Sequence, residues 1–332
     1  MAEPNVAIVG ITGAVGQEMI NCLESRNFPI NELRPLASAR SAGKKTNFRG
    51  NDIVIQELTE NSFEGIDIAL FSAGGGISKQ YCPIAANAGA VVVDNSSAFR
   101  MDQDVPLIVP EINPQEAGNH KGIIANPNCT TIVTLMGLNP LHKKWKISNI
   151  IASSYQAVSG SGAQGIEELR SQITAIANGN EIEKNVYPCQ IAHNVIPQVD
   201  AFLENGYTKE EMKMENEGRK ILETPDLKAS VTCVRVPVYR SHSVAVTVQF
   251  ESDPDVEEAR ALIDQAEGVN VMDDPDSGTF PTPLDTTNKD ACLVGRIRKD
   301  IVLDNALSLW VVGDQVRKGA ALNAVQIAEL LN

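Results

Sequence analysis

The sequence predicts an α/β protein of two domains, in which a doubly wound parallel sheet is followed by an α+β domain and a C-terminal helix returns to the first. The chain has 332 residues, more than the roughly 100–200 of a typical domain. Short apolar strands alternate with helical patterns up to about residue 127, as in a parallel sheet. Beyond that point, strands that alternate apolar and polar residues predict a second sheet with one covered face.

The first domain begins with a strand, a glycine turn and a helix. Residues 5–11 are apolar and β-branched, and residues 15–24 follow the glycines with a helical pattern. The other predicted elements are strands at 33–37, 67–72 and 90–94 and a helix at 78–88, which Pro83 breaks early. Continuous apolar strands are typical of a parallel sheet buried on both faces. This domain is predicted to span residues 1–127.

The pattern changes after Cys129, where a second domain is predicted over residues 128–311. Its predicted elements are helices at 130–138, which ends before Pro140, and 162–178, and strands at 147–155, 231–238 and 244–251. Apart from Ala245, the last two strands alternate and predict an antiparallel sheet. An amphipathic helix at 319–331 lies in the segment 312–332, which is expected to pack on the first domain.

Composition and charge narrow the function. The formal net charge of −14 would repel nucleic-acid backbones and anionic membranes, so these partners are not expected and a small molecule is favoured. The first apolar run is too short for a signal peptide, and no stretch approaches the ~20 apolar residues of a membrane span. A cytoplasmic protein is therefore expected. The six cysteines form no CxxC pair, which predicts reduced thiols and no metal site.

A glycine-rich turn predicts a dinucleotide site. Gly10, Gly13 and Gly16 form a GxxGxxG pattern between a strand and a helix. Glycines there let the backbone approach a pyrophosphate, whose charge is met by amides at the helix N-terminus. A purely structural turn is the alternative, because strand-to-helix turns favour glycine in general.

The end of the second strand predicts which dinucleotide binds. An NAD site usually offers Asp or Glu there, whereas an NADP site offers a cation. This strand ends without an acidic residue, and Arg40 follows it, flanked by Ser38 and Ser41. Arg40 can form a fork with a 2′-phosphate, which predicts NADP. The alternative is a solvated basic loop without a ligand.

Cys129 differs from the other cysteines because it begins a predicted helix. The positive end of a helix dipole lowers the pKa of a thiol and raises its thiolate fraction. A catalytic thiol also needs a base nearby, and His242 lies between two strands at the predicted rim of the sheet. His120 and His142 are expected to be exposed. The alternative for any cysteine is a small buried side chain with no chemistry.

With these residues in view, the chain resembles the aspartate-β-semialdehyde dehydrogenase family along essentially its whole length. The matching motifs include GITGAVGQE, SARSAG, FSAGGGIS, VDNSSAFRMD, IIANPNCTTI, SYQAVSGSGAQG, VRVPVYRSHS and VVGDQVRKGAALN. The resemblance implies reduction of aspartyl 4-phosphate by NADPH to aspartate 4-semialdehyde and phosphate, a step towards lysine, methionine and threonine. It also implies a homodimer, an NADP-binding first domain of the Rossmann type, and a second domain for catalysis and dimerisation.

The resemblance further implies a role for each matching residue. Cys129 is the nucleophile that becomes acylated, His242 is the general acid and base, and Gln156 orients the acyl intermediate. Arg235 holds the α-carboxylate of the substrate and Glu217 its ammonium. The residues that bind the leaving phosphate are Arg100, Asn128 and Lys220. The dinucleotide contacts are Thr12, Gly13, Ala14, Val15, Arg40, Ser41, Ser159, Gly160, Gln315 and Asn323.

One segment departs from the family pattern. Gly218 and Arg219 stand where the family usually has Thr and a polar residue, between Glu217 and Lys220. This departure puts the phosphate-binding role of Lys220 in question.

Three other functions fit the sequence less well. N-acetyl-γ-glutamyl-phosphate reductase shares the two-domain plan and the thioester, but its cysteine motif normally has Gly where this chain has Asn128, and its acylated substrate needs no Glu217. A glyceraldehyde-phosphate dehydrogenase is disfavoured because the second strand lacks the acid that NAD requires. A silent paralogue that only binds other molecules is disfavoured because both Cys129 and His242 are present.

Overall fold

The computed structural model describes residues 3–331, which form two compact units. The first unit combines the chain up to Asn128 with the C-terminal segment from Ala320, and the second is Cys129–Gly319. The sequence placed these divisions at 127/128 and 311/312. Residues 312–319 account for the difference at the second division, because the end of the last strand and the turn after it belong to the second unit.

The elements are numbered in chain order. The strands are β1 (Asn5–Val9), β2 (Glu32–Ala37), β3 (Lys45–Phe48), β4 (Asn51–Val54), β5 (Gln56–Glu57), β6 (Ile68–Phe71), β7 (Val91–Asp94), β8 (Ile123–Ala125), β9 (Ile147–Gln156), β10 (Lys228–Arg235), β11 (His242–Phe250), β12 (Val269–Val271), β13 (Cys292–Lys299) and β14 (Ala306–Gly313). The helices are α1 (Ala14–Ser25), α2 (Gly75–Asn87), α3 (Cys129–Trp145), α4 (Gly162–Ala177), α5 (Lys209–Ile221), α6 (Val256–Asp264), α7 (Pro283–Thr286) and α8 (Leu322–Glu329). A π-helical turn, Arg317–Ala321, precedes α8.

The first unit is built on a sheet with the strand order β5-β2-β1-β6-β7-β8, in which neighbouring strands pair in parallel. Alternate side chains of β1 enter two separate apolar cores, because successive residues of a strand point to opposite faces. One core includes Met19 of α1 and Val325 of α8, and the other includes Cys82 and Ala85 of α2. The predicted doubly wound sheet and the return of the C-terminal helix are confirmed.

The predicted break at Pro83 and the predicted helix end before Pro140 are both wrong. Helix α2 continues through Pro83, and α3 continues through Pro140 to Trp145. Pro83 is exposed, so solvent can satisfy the carbonyl that lacks its helical partner. Helix α3 is buried along most of its length and packs on β9, β11, β13 and β14. We infer that this packing outweighs the cost of one missing hydrogen bond at Pro140.

The second unit carries a mixed sheet with the strand order β10-β9-β11-β14-β13-β12. Strand β11 pairs antiparallel with both β9 and β14, in agreement with its expected place in an antiparallel sheet. The expectation of a wholly antiparallel sheet is wrong, because β10 pairs in parallel with β9, and β12 with β13. An alternating strand pattern reports that one face of the sheet is covered, but it does not fix the direction of each neighbouring strand.

Strands β3 and β4 form an antiparallel hairpin that the sequence did not predict. Its turn places Arg49 and Gly50 at φ of 50° and 78°, the left-handed pair that two-residue hairpins favour. Across residues 3–331, no helix is both long and apolar enough to cross a membrane.

Candidate active site

The glycine-rich turn joins β1 to α1. At Gly10, where φ is +88°, a Cβ would lie 2.4 Å from the carbonyl oxygen of Ser72, and at Gly16 it would lie 2.4 Å from the carbonyl oxygen of Gly10. Both positions therefore require glycine. Gly13 is the N-cap of α1, and no side chain caps the helix. The first amides of α1, which belong to Ala14 and Val15, thus suit an anionic ligand.

A cavity of about 500 Å³ adjoins this turn. Gly10, Thr12 and Gly13 line it, together with Ser38 at the end of β2 and Ser72 at the end of β6. It therefore lies at the carboxyl ends of β1 and its two neighbours, where dinucleotides bind in doubly wound sheets. The glycine cradle, the uncapped helix and this cavity fit a dinucleotide.

The loop after β2 places its three predicted residues differently. Ser38 lines the cavity, and its carbonyl accepts a hydrogen bond of 2.8 Å from the buried Ser41. Arg40 is exposed and has no hydrogen-bond or ion-pair partner elsewhere in the described chain. Its guanidinium is therefore available to an anionic ligand such as a phosphate group.

Arg100 and Asn128 are buried in the first unit. Arg100 donates from Nε to the carbonyl of Asn126 at 2.9 Å and from Nη2 to that of Asn95 at 3.0 Å. Asn323, a predicted cofactor contact, is fully buried, and its amide nitrogen donates to Asn126 Oδ1 at 2.6 Å and to the carbonyl of Ile108 at 2.9 Å. Asn323 thus ties α8 to the segment that precedes Cys129.

Cys129 is the first residue of α3 and is partly exposed. The first turn of α3 contains no acidic residue, so the helix dipole favours a thiolate there. Burial raises the pKa of the Cys233 thiol to about 12 and also raises the pKa of Cys82, so neither is a nucleophile near neutral pH. None of the six cysteines forms a disulfide. No group of His, Cys, Asp and Glu side chains among the described residues suits a metal ion.

His242, the first residue of β11, is fully buried. Its Nδ1 accepts a hydrogen bond of 3.1 Å from the backbone N–H of Ala157, so the neutral ring carries its proton on Nε2. Burial, together with the positive charge of Arg235, lowers the pKa of His242 from 6.5 to about 3, although Glu210 opposes this shift. No group in residues 3–331 makes a hydrogen bond to Nε2. His242 therefore presents an unused Nε2–H donor.

Arg235 ends β10 and shares an anchor with His242. Its Nη1 donates to the carbonyl oxygen of Ala157 at 2.8 Å, so one residue holds both side chains through its backbone. A Cβ at Gly160 would lie 2.8 Å from Arg235 Nη1 and 3.4 Å from His242 Cε1. The structure therefore brings Arg235, His242 and Gly160 together.

Gln156 ends β9 and is buried. Its Nε2 donates to Thr130 Oγ1 at 2.9 Å, to Ser154 Oγ at 3.3 Å and to Glu210 Oε1 at 3.3 Å. Thr130 follows Cys129 in the first turn of α3. The consecutive residues Gln156 and Ala157 thus contact both the neighbour of the thiol and the histidine.

Glu217 and Lys220 lie three residues apart on α5, which places them on one face of the helix. Glu217 is 2% exposed, and Lys220 is partly buried. The departures between them have local causes. A Cβ at Gly218 would lie 3.0 Å from Leu227 Cδ2, and Arg219 donates from Nε to the carbonyl of Leu227 at 2.8 Å. Gly218 and Arg219 therefore serve the packing against Leu227.

Gln315 and Ser159 are hydrogen-bonded to each other within the second unit. The amide of Gln315 donates from Nε2 to Ser159 Oγ, and its Oε1 accepts from the backbone N–H of Ser241 at 2.8 Å. Ser241 has a φ of 73° and immediately precedes His242. Gln315 therefore stabilises a strained residue next to the histidine.

Several residues at this site were missed from the sequence: Thr130, Ala157, Glu210 and Gly319. A Cβ at Gly319 would lie only 2.9 Å from that of Cys129. Glu210 belongs to an acidic pair at a helix start, a pattern typical of solvated surface. Ala157 acts through its backbone alone, which leaves no signal in the sequence. His142, expected to be exposed, is buried on α3.

Comparison with known proteins assigns the family. The semialdehyde dehydrogenase NAD binding domain matches residues 5–120, and the semialdehyde dehydrogenase dimerisation domain matches residues 138–318. The aspartate-semialdehyde dehydrogenase of Aquifex aeolicus is 52% identical over 330 residues, which cover 98% of this chain and 97% of the relative.

The chain belongs to the aspartate-semialdehyde dehydrogenase family. Aspartate semialdehyde dehydrogenase II of Vibrio cholerae, crystallised in complex with ASA, has a TM-score of 0.97 and 47% identity over 100% of this chain and 98% of its own. The Candida albicans enzyme, crystallised with NADP, has a TM-score of 0.77 and 26% identity over 99% and 98% of the two chains.

Membership in the aspartate-semialdehyde dehydrogenase family confirms several expectations. The resemblance and the enzyme class are confirmed by both family domains and by the full-length relatives. A nicotinamide cofactor is supported by the NAD binding domain, and the homodimer by the dimerisation domain.

Proposed function

We propose that this chain is an NADP-dependent, cytoplasmic aspartate-semialdehyde dehydrogenase that reduces L-aspartyl 4-phosphate to L-aspartate 4-semialdehyde and phosphate through a thioester on Cys129. This activity would supply the synthesis of lysine, methionine and threonine. The observation that carries the proposal is the anchor formed by Gln156 and Ala157, which contacts both Thr130, next to Cys129, and His242. The thiols, none of which is in a disulfide, agree with a reducing compartment.

The proposed substrate has three charged groups, and the chain offers a partner for each. Arg235 can hold the α-carboxylate with a planar fork, and the buried Glu217 can accept hydrogen bonds from the ammonium. The phosphate-binding role that the family resemblance implies for Arg100, Asn128 and Lys220 is part of the proposal.

Acyl transfer begins at Cys129. Its thiolate forms a bond to the acyl carbon, the C–O bond to phosphate breaks, and phosphate leaves with the electron pair. The position at the start of α3 supports this step, because the helix dipole stabilises the thiolate before attack. Gln156 then orients the resulting thioester.

His242 acts as a hydrogen-bond donor in this proposal. Its Nε2–H can stabilise the oxyanion that forms when the thiolate adds to the carbonyl, and again when the thioester is reduced. In this tautomer the ring cannot take the thiol proton at Nε2. The resemblance implies that His242 is a general acid and base, whereas this proposal assigns it only the role of a hydrogen-bond donor. Formation of the Cys129 thiolate then depends on the dipole of helix α3.

The cofactor is proposed to be NADP. A nicotinamide cofactor, when bound, supplies the hydride that reduces the Cys129 thioester. Gly10, Thr12 to Gly16 and Ser38 would hold the dinucleotide. The cofactor contacts that the family resemblance implies for Ser159 and Gly160 are also part of the proposal. Arg40 carries the preference for NADP, because its exposed guanidinium has no partner in the described part of the chain and can bind a 2′-phosphate.

The reaction is tested in the reverse direction by mixing the enzyme with aspartate semialdehyde, phosphate and NADP and following NADPH absorbance. N-acetylglutamate semialdehyde in a parallel assay tests the reductase alternative. We expect turnover with aspartate semialdehyde, dependence on phosphate, and little activity with the acetylated substrate. No absorbance change from a folded protein would favour the silent paralogue and contradict the proposal.

A further inference from the structure

Glu210 is a buried carboxylate that the proposed mechanism leaves without a role. It lies in the first turn of α5 and is 8% exposed. Its Oε2 forms an ion pair of 2.7 Å with Lys213 Nζ, and its Oε1 lies 3.3 Å from Gln156 Nε2. The ion pair keeps the carboxylate ionised, so both of its oxygens can only accept hydrogen bonds.

Glu210 is not needed to begin its helix. Thr208 is the N-cap of α5, and its side chain accepts a hydrogen bond from the backbone N–H of Glu211. The carboxylate of Glu211 in turn accepts a hydrogen bond from the backbone N–H of Thr208. This capping box satisfies the backbone N–H groups of Thr208 and Glu211 without using the side chain of Glu210. The contact from Glu210 to Gln156 therefore calls for another explanation.

The contact decides which way the Gln156 amide faces. An ionised carboxylate has no hydrogen to donate, so the carbonyl oxygen of Gln156 cannot take the place of Nε2 beside Glu210. Hydroxyl groups such as those of Thr130 and Ser154 would tolerate either orientation, because they both donate and accept. With Nε2 directed to these three partners, Oε1 is directed away from Glu210. No group among residues 3–331 donates a hydrogen bond to Oε1.

We propose that Glu210 is a positioning residue that fixes Gln156 as a hydrogen-bond acceptor for the α-ammonium of the substrate. This proposal rests on the proposed function. In an aspartyl thioester, the α-carboxylate and the acyl carbonyl only accept hydrogen bonds, and the ammonium is the one donor. An acceptor held at Gln156 therefore selects substrates that carry a free amine, in addition to the acid at Glu217.

The negative charge of Glu210 also affects two other side chains of the second unit, His242 and Cys233. It raises the pKa of His242 against the larger effects of burial and Arg235, and it raises the pKa of Cys233. The carboxylate is therefore close enough to interact with a cation bound beside Gln156.

The substitution Glu210→Gln tests the proposal, because it keeps the shape and lets the Gln156 amide take either orientation. The quantity to measure is the selectivity ratio, the kcat/KM for aspartate semialdehyde divided by that for succinate semialdehyde, which lacks only the amine. We expect Glu210→Gln to lower this ratio roughly tenfold, the effect of one charge-assisted hydrogen bond, mainly through the KM for aspartate semialdehyde. A residue that only supports the fold would lower both activities together.

Two further variants make the test specific. Glu211→Gln removes the neighbouring buried carboxylate, which caps α5 and does not contact Gln156, so it should lower the melting temperature and leave the ratio unchanged. Gln156→Leu removes the acceptor while Glu210 stays in place, and it should lower the ratio at least as far as Glu210→Gln does. It provides the test if Glu210→Gln does not fold. Adding Glu210→Gln to Gln156→Leu should then change the ratio no further.

The outcomes separate this proposal from the proposed function. A wild-type enzyme without activity on aspartate semialdehyde overturns both. An active wild type whose ratio is unchanged in Glu210→Gln or in Gln156→Leu overturns the role of Glu210 alone. The role of Glu210 is likewise overturned if Glu210→Gln lowers both activities equally, or if it lowers the ratio further in the Gln156→Leu background.

Discussion

Replacing Arg235 with lysine separates the planar fork of the guanidinium from its charge. Arg235 is 6% exposed, and its Nη1 donates to the carbonyl oxygen of Ala157 at 2.8 Å. Lysine keeps the positive charge beside His242 but cannot hold both this carbonyl and a substrate carboxylate in one plane. The loss of one charge-assisted hydrogen bond costs about 1.5–3 kcal/mol, so we expect kcat/KM to fall roughly 10- to 150-fold.

The assay follows NADPH in the reverse direction at aspartate semialdehyde concentrations below KM, where kcat/KM is measured directly. Arg170→Lys is the matched control, because Arg170 is exposed and its ion pair among the described residues is with Glu167 on the surface of α4. This control should leave the rate unchanged. Full activity of Arg235→Lys at low substrate, with a melting temperature equal to that of the wild type, would refute the assignment of the carboxylate site.

Three other predictions concern the cofactor, the site geometry and the buried histidines. Arg40→Ala should reduce the preference for NADP over NAD roughly tenfold or more, measured as the ratio of kcat/KM values, because a charge-assisted contact to the 2′-phosphate is lost. Gly160→Ala should lower kcat by up to roughly 100-fold, because its Cβ would lie 2.8 Å from Arg235 Nη1 and displace it. Burial lowers the pKa of His142 to about 4 and that of His242 to about 3, both from 6.5. The unfolded chain therefore binds protons first as pH falls below 6.5. The stability linked to His142 is lost between pH 6.5 and about 4, and that linked to His242 between pH 6.5 and about 3. The loss approaches about 1.4 kcal/mol per pH unit for each histidine, and His142→Asn should reduce it in urea unfolding experiments.

Each of these predictions has a control. Lys44→Ala removes a neighbouring exposed cation and should leave the cofactor preference unchanged; an equal loss in both variants would contradict the assignment to Arg40. Gly118→Ala adds a Cβ that meets nothing within 4 Å, so a rate loss at Gly118 as large as that at Gly160 would argue against a local steric effect. A stability curve with the same slope in wild type and His142→Asn would show that His142 is not neutral in the folded protein.

The sequence predicted the first unit well because its signals are local. Continuous apolar strands indicate a sheet buried on both faces, and glycine is required wherever the backbone passes as closely as at Gly10 and Gly16. The hairpin of β3 and β4 was missed because its residues are mostly polar and do not alternate with apolar ones. β3 does alternate between exposed and buried positions, but one of the two buried positions is held by the polar Thr46, and β4 is largely exposed. The parallel pairs of the second sheet were missed because the path of the whole chain decides which strands become neighbours and in which direction they run.

The candidate site likewise contains some residues that local sequence signals identify and others that depend on the folded chain. Cys129 could be chosen from its position at a helix start, and Arg40 from the end of the second strand. The role of Ala157 could not be predicted, since its backbone binds His242 and Arg235 and any residue type would supply the same N–H and carbonyl. Glu210 could not be distinguished from a solvated acid, because its burial depends on the packing of α5 against α3 and β10.

The central claim is covalent catalysis by Cys129, and intact-mass spectrometry after mixing the enzyme with aspartyl phosphate in the absence of NADPH tests it most directly. Without a hydride donor the thioester cannot be reduced, so the wild type should gain the mass of one aspartyl group, stable in mild acid and located on Cys129. The variant Cys129→Ala should show no adduct and no turnover while it still binds NADP. An adduct on any other cysteine, or turnover by Cys129→Ala, would contradict the proposed mechanism.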